Sequence, residues 1–256
     1  MPAITSHKPG SFCWNELMTT DQPAAKKFYT KLFGWTSDDV PTGSGTFYTM
    51  LRLNTKGVGG LYLRTQREAG IPPHWNCFVA VANVDDAAKK VWALGGKTLM
   101  PPFDVSDSGR MTVIEDPTGA KLCLWQSKKH IGAEVVNEPG APCWHELGTT
   151  DGKLAGDFYS HLFGWELKTL PITPPYTVFS NAGTDFGGMF ILAGSMQGIP
   201  PHWLPYFQVH DCDTTVHQAT SMGGSAVVAP MDISVGRFAY LQDPQGAVFA
   251  VFTSKQ

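Results

Sequence analysis

The chain has 256 residues, with 22 acidic against 19 basic side chains, 43% hydrophobic and 16% charged residues, and a net charge of −3. That balance describes a chain able to bury a core rather than a disordered one, and its scattered lysines and arginines give no footprint for nucleic acid. No run approaches the ~18 apolar residues of a membrane span, the opening MPAITSHKPG lacks the apolar core of a signal peptide, and Cys13, Cys77, Cys123, Cys143 and Cys212 form no CxxC pair, so a cytoplasmic protein with reduced thiols is expected.

After a polar lead-in over residues 1–10, alternation predicts a strand from about Phe12 to Thr19, with Trp14, Glu16 and Met18 on one face and Cys13, Asn15 and Leu17 on the other. Asp21 is a helix N-cap by type, Phe28, Leu32 and Phe33 form a stripe at helical spacing, and Gly34 supplies a stop, which predicts a helix over 23–33. Strands follow near 46–53 and 58–63 across the turn Asn54–Gly57. After Pro72-Pro73-His74 come a strand at 77–83, a helix from Asp85-Asp86 to Leu94 closed by Gly95-Gly96, and strands near 97–100 and 110–115. An Asp116-Pro117-Thr118-Gly119 turn and a strand at 120–126 complete this half. Polar residues 128–139 read as a linker. Beyond it lie a strand at 142–149, a helix at 153–163 capped by Asp151, and strands near 176–181 and 186–192. Pro200-Pro201-His202 then leads to a strand at 205–210, a helix from Asp213 to Met222, and strands near 225–228, 237–242 and 247–252.

The order repeats because the chain is duplicated. Gly10–Trp35 and Gly140–Trp165 align without a gap and match at fifteen of 26 positions. Ile-Pro-Pro-His-Trp recurs at 71–75 and 199–203, and the Asp-Pro-x-Gly-Ala turn at 116–120 and 243–247. The units to expect are residues 10–127 and 140–254, joined by 128–139.

Strand, Thr-Asp, helix and Phe-Tyr-x-x-Leu-Phe-Gly-Trp in both halves, with the Asp-Pro-x-Gly turn before each last strand, resemble the vicinal oxygen chelate superfamily of glyoxalase I, extradiol dioxygenases and bleomycin-resistance proteins. The resemblance spans nearly the whole chain and implies an α+β fold. Four βαβββ modules would pair into two domains, each a curled open sheet around a cavity with helices outside. The sequence leaves open whether modules pair within one chain or between chains, as in a homodimer.

Enzymes of that superfamily hold a divalent metal with side chains from four strands at the cavity floor. The implied positions are Trp14, Phe78 and Cys123 in the first half and Trp144, Tyr206 and Ala250 in the second, with the fourth corner near Gly60-Leu61-Tyr62 and Gly188-Met189-Phe190. Indole, phenyl and methyl groups do not coordinate such ions, and neither half assembles three donors. The expectation is therefore no metal and no cofactor, with these six residues forming either ligand-binding walls for an apolar or aromatic small molecule or a filled core.

Glu16 and Glu146 share the face of the two cavity tryptophans and are the candidate catalytic groups. A carboxylate among aromatics titrates high and can serve as base or anchor, although a packed or salt-bridged glutamate would look the same in sequence. Arg110 and Arg237 start strands near the cavity mouth and are candidates for holding an anionic substituent, with a solvated strand-edge charge as the plain alternative. His74 and His202 read as structural residues of a rigid loop holding the strand entry, with proton transfer near neutral pH as the alternative, His145 as lying on the face away from Trp144, and His210 and His217 as surface residues. No nucleophile elbow, phosphate loop, HExxH or paired-cysteine zinc motif is present. The function expected is binding and sequestration of a small organic ligand without partners among nucleic acids or membranes. The alternatives are a glyoxalase-like lyase or dioxygenase-type enzyme acting on small aldehydes or aromatics, and a metal-free catalyst using Glu16 or Glu146 as base.

Overall fold

A computed structural model describes residues 4–43 and 45–255. In the first half the elements are β1 (Phe12–Thr19), α1 (Gln22–Phe33), β2 (Thr36–Gly43), β3 (Thr46–Leu53), β4 (Lys56–Leu63), β5 (His74–Ala80), α2 (Val84–Ala93), β6 (Lys97–Val105), β7 (Gly109–Glu115) and β8 (Lys121–Ser127). The second half repeats them as β9 (Pro142–Thr149), α3 (Gly152–Phe163), β10 (Glu166–Leu170), β11 (Tyr176–Asn181), β12 (Thr184–Ile191), β13 (His202–Gln208), α4 (Cys212–Ser221), β14 (Ser225–Ile233), β15 (Gly236–Gln242) and β16 (Val248–Ser254).

Each half forms its own eight-stranded open sheet, ordered β2-β3-β4-β1-β5-β8-β7-β6 and β10-β11-β12-β9-β13-β16-β15-β14. Modules therefore pair within each half, through the antiparallel central strands β1 with β5 and β9 with β13. The expected α+β architecture of four βαβββ modules in two domains holds. The caps of α1 and α3 form as their sequence implies, with Asp21 accepting from Ala24 N at 3.0 Å and Asp151 from Leu154 N at 2.9 Å.

Several boundaries differ from the sequence reading. Edge strands β2 and β10 were not anticipated, because nearly every residue of both is exposed and neither carries an apolar alternation to reveal it. Helices α2 and α4 start from Asn83 and Asp211, whose side chains accept from Asp86 N and Thr214 N, so Asp85 and Asp213 lie in the first turn instead of capping it. Strands β5 and β13 begin at the histidines rather than three residues later. Strand β6 runs on through Pro101-Pro102, which an edge strand accommodates with a shift of register between Met100 and Phe103.

The core explains the repeated Phe-Tyr-x-x-Leu-Phe-Gly-Trp. Helix α1 buries Phe28, Tyr29, Leu32 and Phe33 with Phe207, Leu241 and Phe249 of the second sheet, and α3 buries Phe158, Tyr159 and Leu162 with Val79, Leu122 and Leu124 of the first. Tyr29 Oη donates to Asp243 at 2.9 Å while accepting from Trp75 Nε1 at 3.1 Å. Tyr159 repeats this with Asp116 at 2.9 Å and Trp203 at 2.8 Å. Trp35 and Trp165 donate to the carbonyls of Gly140 and Gly10, each at 2.7 Å. Each half's signature thus docks on the other half's Asp-Pro-x-Gly turn, through buried bonds worth about 1–3 kcal/mol apiece. His145 belongs to this seam as well. It bonds Asn15 at 3.0 Å and stacks on Phe12 at 3.7 Å, and burial lowers its imidazole to about 3.

Candidate functional site

Strand alternation sends Cys77, Val79, Leu122 and Leu124 into the seam and Phe78, Cys123 and Trp125 to the opposite, concave face. There the first half holds a cleft of about 720 Å³. Trp14 stands opposite Phe78 in register, and Phe78 opposite Cys123. Glu16 follows two residues after Trp14 and faces Gly60 on β4. A Cβ on Gly60 would collide with the Tyr48 ring, so the glycine is what lets this phenol lie across the sheet. Trp14 Nε1 donates to Tyr48 Oη at 2.9 Å, and the Tyr48 phenol is the polar neighbour that favours the charged form of Glu16.

Met50, Met111 and Trp125 wall the cleft, and the tips of the β2–β3 and β6–β7 hairpins frame its mouth. His130, from the linker, meets Trp14 edge-on at 4.7 Å, and its carbonyl accepts from Trp125 Nε1 at 2.9 Å. The linker is pinned over the sheet by Ala133 N to Cys13 O at 2.7 Å and by Gly57 N to the Glu134 carboxylate at 2.6 Å. Burial pushes Glu16 up to about 7, opposed by the Tyr48 hydrogen bond and reinforced by the Glu68 charge. Burial also lowers the His130 imidazole and raises the Cys123 thiol well above its ordinary range.

The second half repeats the strands with a different set of floor side chains. Trp144 faces Tyr206, Tyr206 faces Ala250, and Trp144 Nε1 donates to Tyr176 Oη at 2.9 Å across Gly188, which leaves room for that ring. Here Glu146 is buried, Tyr206 donates to it at 2.7 Å and Tyr240 is a second donor, with the Tyr176 phenol as a further neighbour that favours its charged form. Ala250 is fully buried in a cluster with Leu204, Tyr206, Trp144, Phe238 and Phe252. In the first half the register equivalents of Tyr206 and Tyr240 are Phe78 and Val113. Glu16 therefore has one phenol where Glu146 has three.

Comparison with known proteins places this geometry. A sequence profile of the Glyoxalase/Bleomycin resistance protein/Dioxygenase superfamily matches residues 12–124. "Putative glyoxylase CFP32" of Mycobacterium tuberculosis is 44% identical over 98% of this chain and 97% of its own length. The chain belongs to the glyoxalase/bleomycin resistance/dioxygenase superfamily. A second relative, the anthracycline biosynthesis protein DnrV of Streptomyces peucetius, is 35% identical over 97% of this chain and 94% of its own. Among solved structures, the Mn(II)-bound glyoxalase of Novosphingobium aromaticivorans shares the fold with a TM-score of 0.67 at 14% identity, over 96% of this chain and 82% of that one. A catechol 2,3-dioxygenase does so with a TM-score of 0.64 at 11% identity, over 98% and 90%.

Superfamily enzymes imply a metal at the cleft floor, and the residues present do not fit one. The first half offers an indole, a phenyl, a glycine and the buried Cys123 thiol, which burial holds protonated. The second offers an indole, a phenol, a glycine and a methyl group. Among the described residues no group of three or more His, Cys, Asp or Glu is placed to share an ion.

Of the residues singled out from sequence, Trp14, Glu16, Phe78 and Cys123 converge on the first floor, and Trp144, Glu146, Tyr206 and Ala250 on the second. Arg110 and Arg237 do not join them. Arg110 lies on the face of β7 opposite Met111 and grips the Asp85 carboxylate with two bonds, at 2.8 and 2.9 Å. Arg237 does the same to Asp213 at 2.6 and 2.9 Å. Both tie a strand to a helix on the side away from the cleft. His74 and His202 open β5 and β13, with Nδ1 bonded to the carbonyls of Pro72 and Pro200, and His210 and His217 are exposed. Sequence reasoning missed Tyr48, Tyr176, Tyr240, Trp125 and His130. A signal for two of them existed, since Tyr48 and Tyr176 precede Gly60 and Gly188, the second glycines of the first Gly-Gly pair in each half, by twelve residues.

Proposed function

We propose that the first cleft binds a small, largely apolar or aromatic organic molecule without a chelated metal, and that the second cleft is packed scaffold. The observation that carries this reading is the contrast in floors. Around Glu16 an aromatic-walled space stands open, whereas Glu146 is enclosed by its own tyrosines. Relatives' names divide between glyoxylase chemistry and anthracycline biosynthesis, and a floor whose donors, the Glu16 carboxyl and the Cys123 thiol, fall short of a chelating set favours holding a ligand over metal-assisted aldehyde chemistry. Five free cysteines, four of them buried, support a reducing, cytoplasmic setting, and among the described residues no helix is long and apolar enough to cross a membrane.

Elemental analysis of the purified protein, paired with native mass spectrometry of what co-purifies, tests the reading. The expected result is no stoichiometric metal, with aromatic ligands quenching the fluorescence of Trp14 and Trp125. A lactoyl-thioester-forming activity abolished by a chelator and restored by a divalent metal would overturn it. A second reading uses Glu16 as a base in the same cleft, supported by its carboxyl titrating near neutrality. It requires that Glu16→Gln removes turnover while binding persists.

A further inference from the structure

The first cleft is lopsided in charge. Glu16 stands at its floor and Asp107 at its mouth, neither lysine nor arginine lines it, and the histidine in its wall, His130, is held toward its neutral form by burial. Asp107 is already engaged by Lys129 at 2.6 Å, which leaves Glu16 as the carboxylate that no cation meets. Around it stand the rings of Trp14, Tyr48, Phe78 and Trp125. An aromatic ring attracts a cation through its quadrupole, and a partly desolvated carboxylate attracts one more strongly than it would in water. A neutral apolar ligand would fill these walls but further desolvate Glu16 without pairing it, and an anion would meet a like charge with no counter-ion. We propose that the ligand of this cleft carries a protonated amine or quaternary ammonium on an aromatic or apolar body, its cationic end seated on Glu16 among Trp14, Tyr48 and Phe78. This rests on the reading of the first cleft as the binding site and names the chemical class it takes.

Affinity for such a cation follows the ionisation of Glu16. The groups that bear on it are Tyr48 from β3, Tyr62 from β4, Cys123 from β8, and the Glu68 carboxylate beyond β4 with His74 of β5 behind it. Burial raises both phenols and the thiol, so they stay neutral near neutral pH, and Glu68, bonded by Thr65 and Tyr62, is held below its ordinary value and stays charged. Glu16 is the carboxyl among them that changes charge there.

The test is a calorimetric titration with a matched pair, naphthylmethylammonium and naphthylmethanol, which differ in charge but little in shape. At about pH 8 the cation is expected to bind on the order of tenfold more tightly. That preference shrinks as pH falls through about 7, and cation binding releases protons, read from the dependence of heat on buffer. Glu16→Gln abolishes the preference for the cation and leaves the alcohol binding at least as tightly as before, which also shows that the variant is folded. Equal affinities in the wild-type protein, or a preference that survives Glu16→Gln, would overturn the proposal while leaving the cleft a binding site. If neither probe binds, the underlying reading falls with it.

Discussion

Glu16 and Glu146 occupy the same position of the same strand in the two halves. Each follows by two residues a tryptophan whose indole donates to a tyrosine lying over a glycine. The second half surrounds its carboxylate with Tyr176, Tyr206 and Tyr240, and the first keeps only Tyr48, having Phe78 and Val113 where the other two would stand. Two phenolic hydroxyls and one ring thus decide whether the fold satisfies its own buried charge or leaves it for a ligand. Both halves keep the scaffold, and in the function proposed above small changes at the floor divide stability from binding.

The largest expected effect comes from removing the enclosed carboxylate. Glu146→Ala leaves buried phenols without an acceptor and should cost about 2–4 kcal/mol in urea unfolding, against a change within about 1 kcal/mol for Glu16→Ala at neutral pH. Equal costs would break the comparison.

Glu16→Gln should next reveal the pH dependence. Glu16 titrates at about 7 in the folded chain against an ordinary 4.5, so its ionisation opposes folding. That penalty is absent below about pH 4.5, grows as pH rises, and is complete above about 7. The substitution should therefore stabilise by about 1–3 kcal/mol at pH ~8 and by nothing at pH ~4, measured by thermal or urea unfolding.

The smallest effect separates the tyrosines. Tyr48→Phe removes the phenol that lowers Glu16 and should raise its titration midpoint further. Tyr176→Phe leaves Glu146 two donors and should shift its carboxylate less, as NMR titration of the labelled side chains would show.

Much of this floor was legible because period-two alternation is local. Alternation along β1 sets Trp14 and Glu16 on one face, and the corner residues Phe78 and Cys123 do fall opposite Trp14 and each other. Phe78 faces the floor although the helix after its strand starts from Asn83 and not from Asp85. The arginines failed because being near a strand's start says nothing about its face, and Asp85, the partner of Arg110, sits 25 residues earlier. The docking role of Tyr29 was invisible because its acceptor Asp243 is 214 residues away. His130 carried no signal, coming from the one segment that the duplication does not repeat. The exposed edge strand β2, which frames the cleft mouth, offered no periodicity to read.

Exchange of the two floors tests the central claim most directly, by calorimetric stoichiometry with an aromatic ligand of the wild-type cleft. Wild-type protein should show one site per chain, Phe78→Tyr with Val113→Tyr none, and Tyr206→Phe with Tyr240→Val two. Two sites in the wild-type chain, or a stoichiometry unmoved by either exchange, would contradict the account.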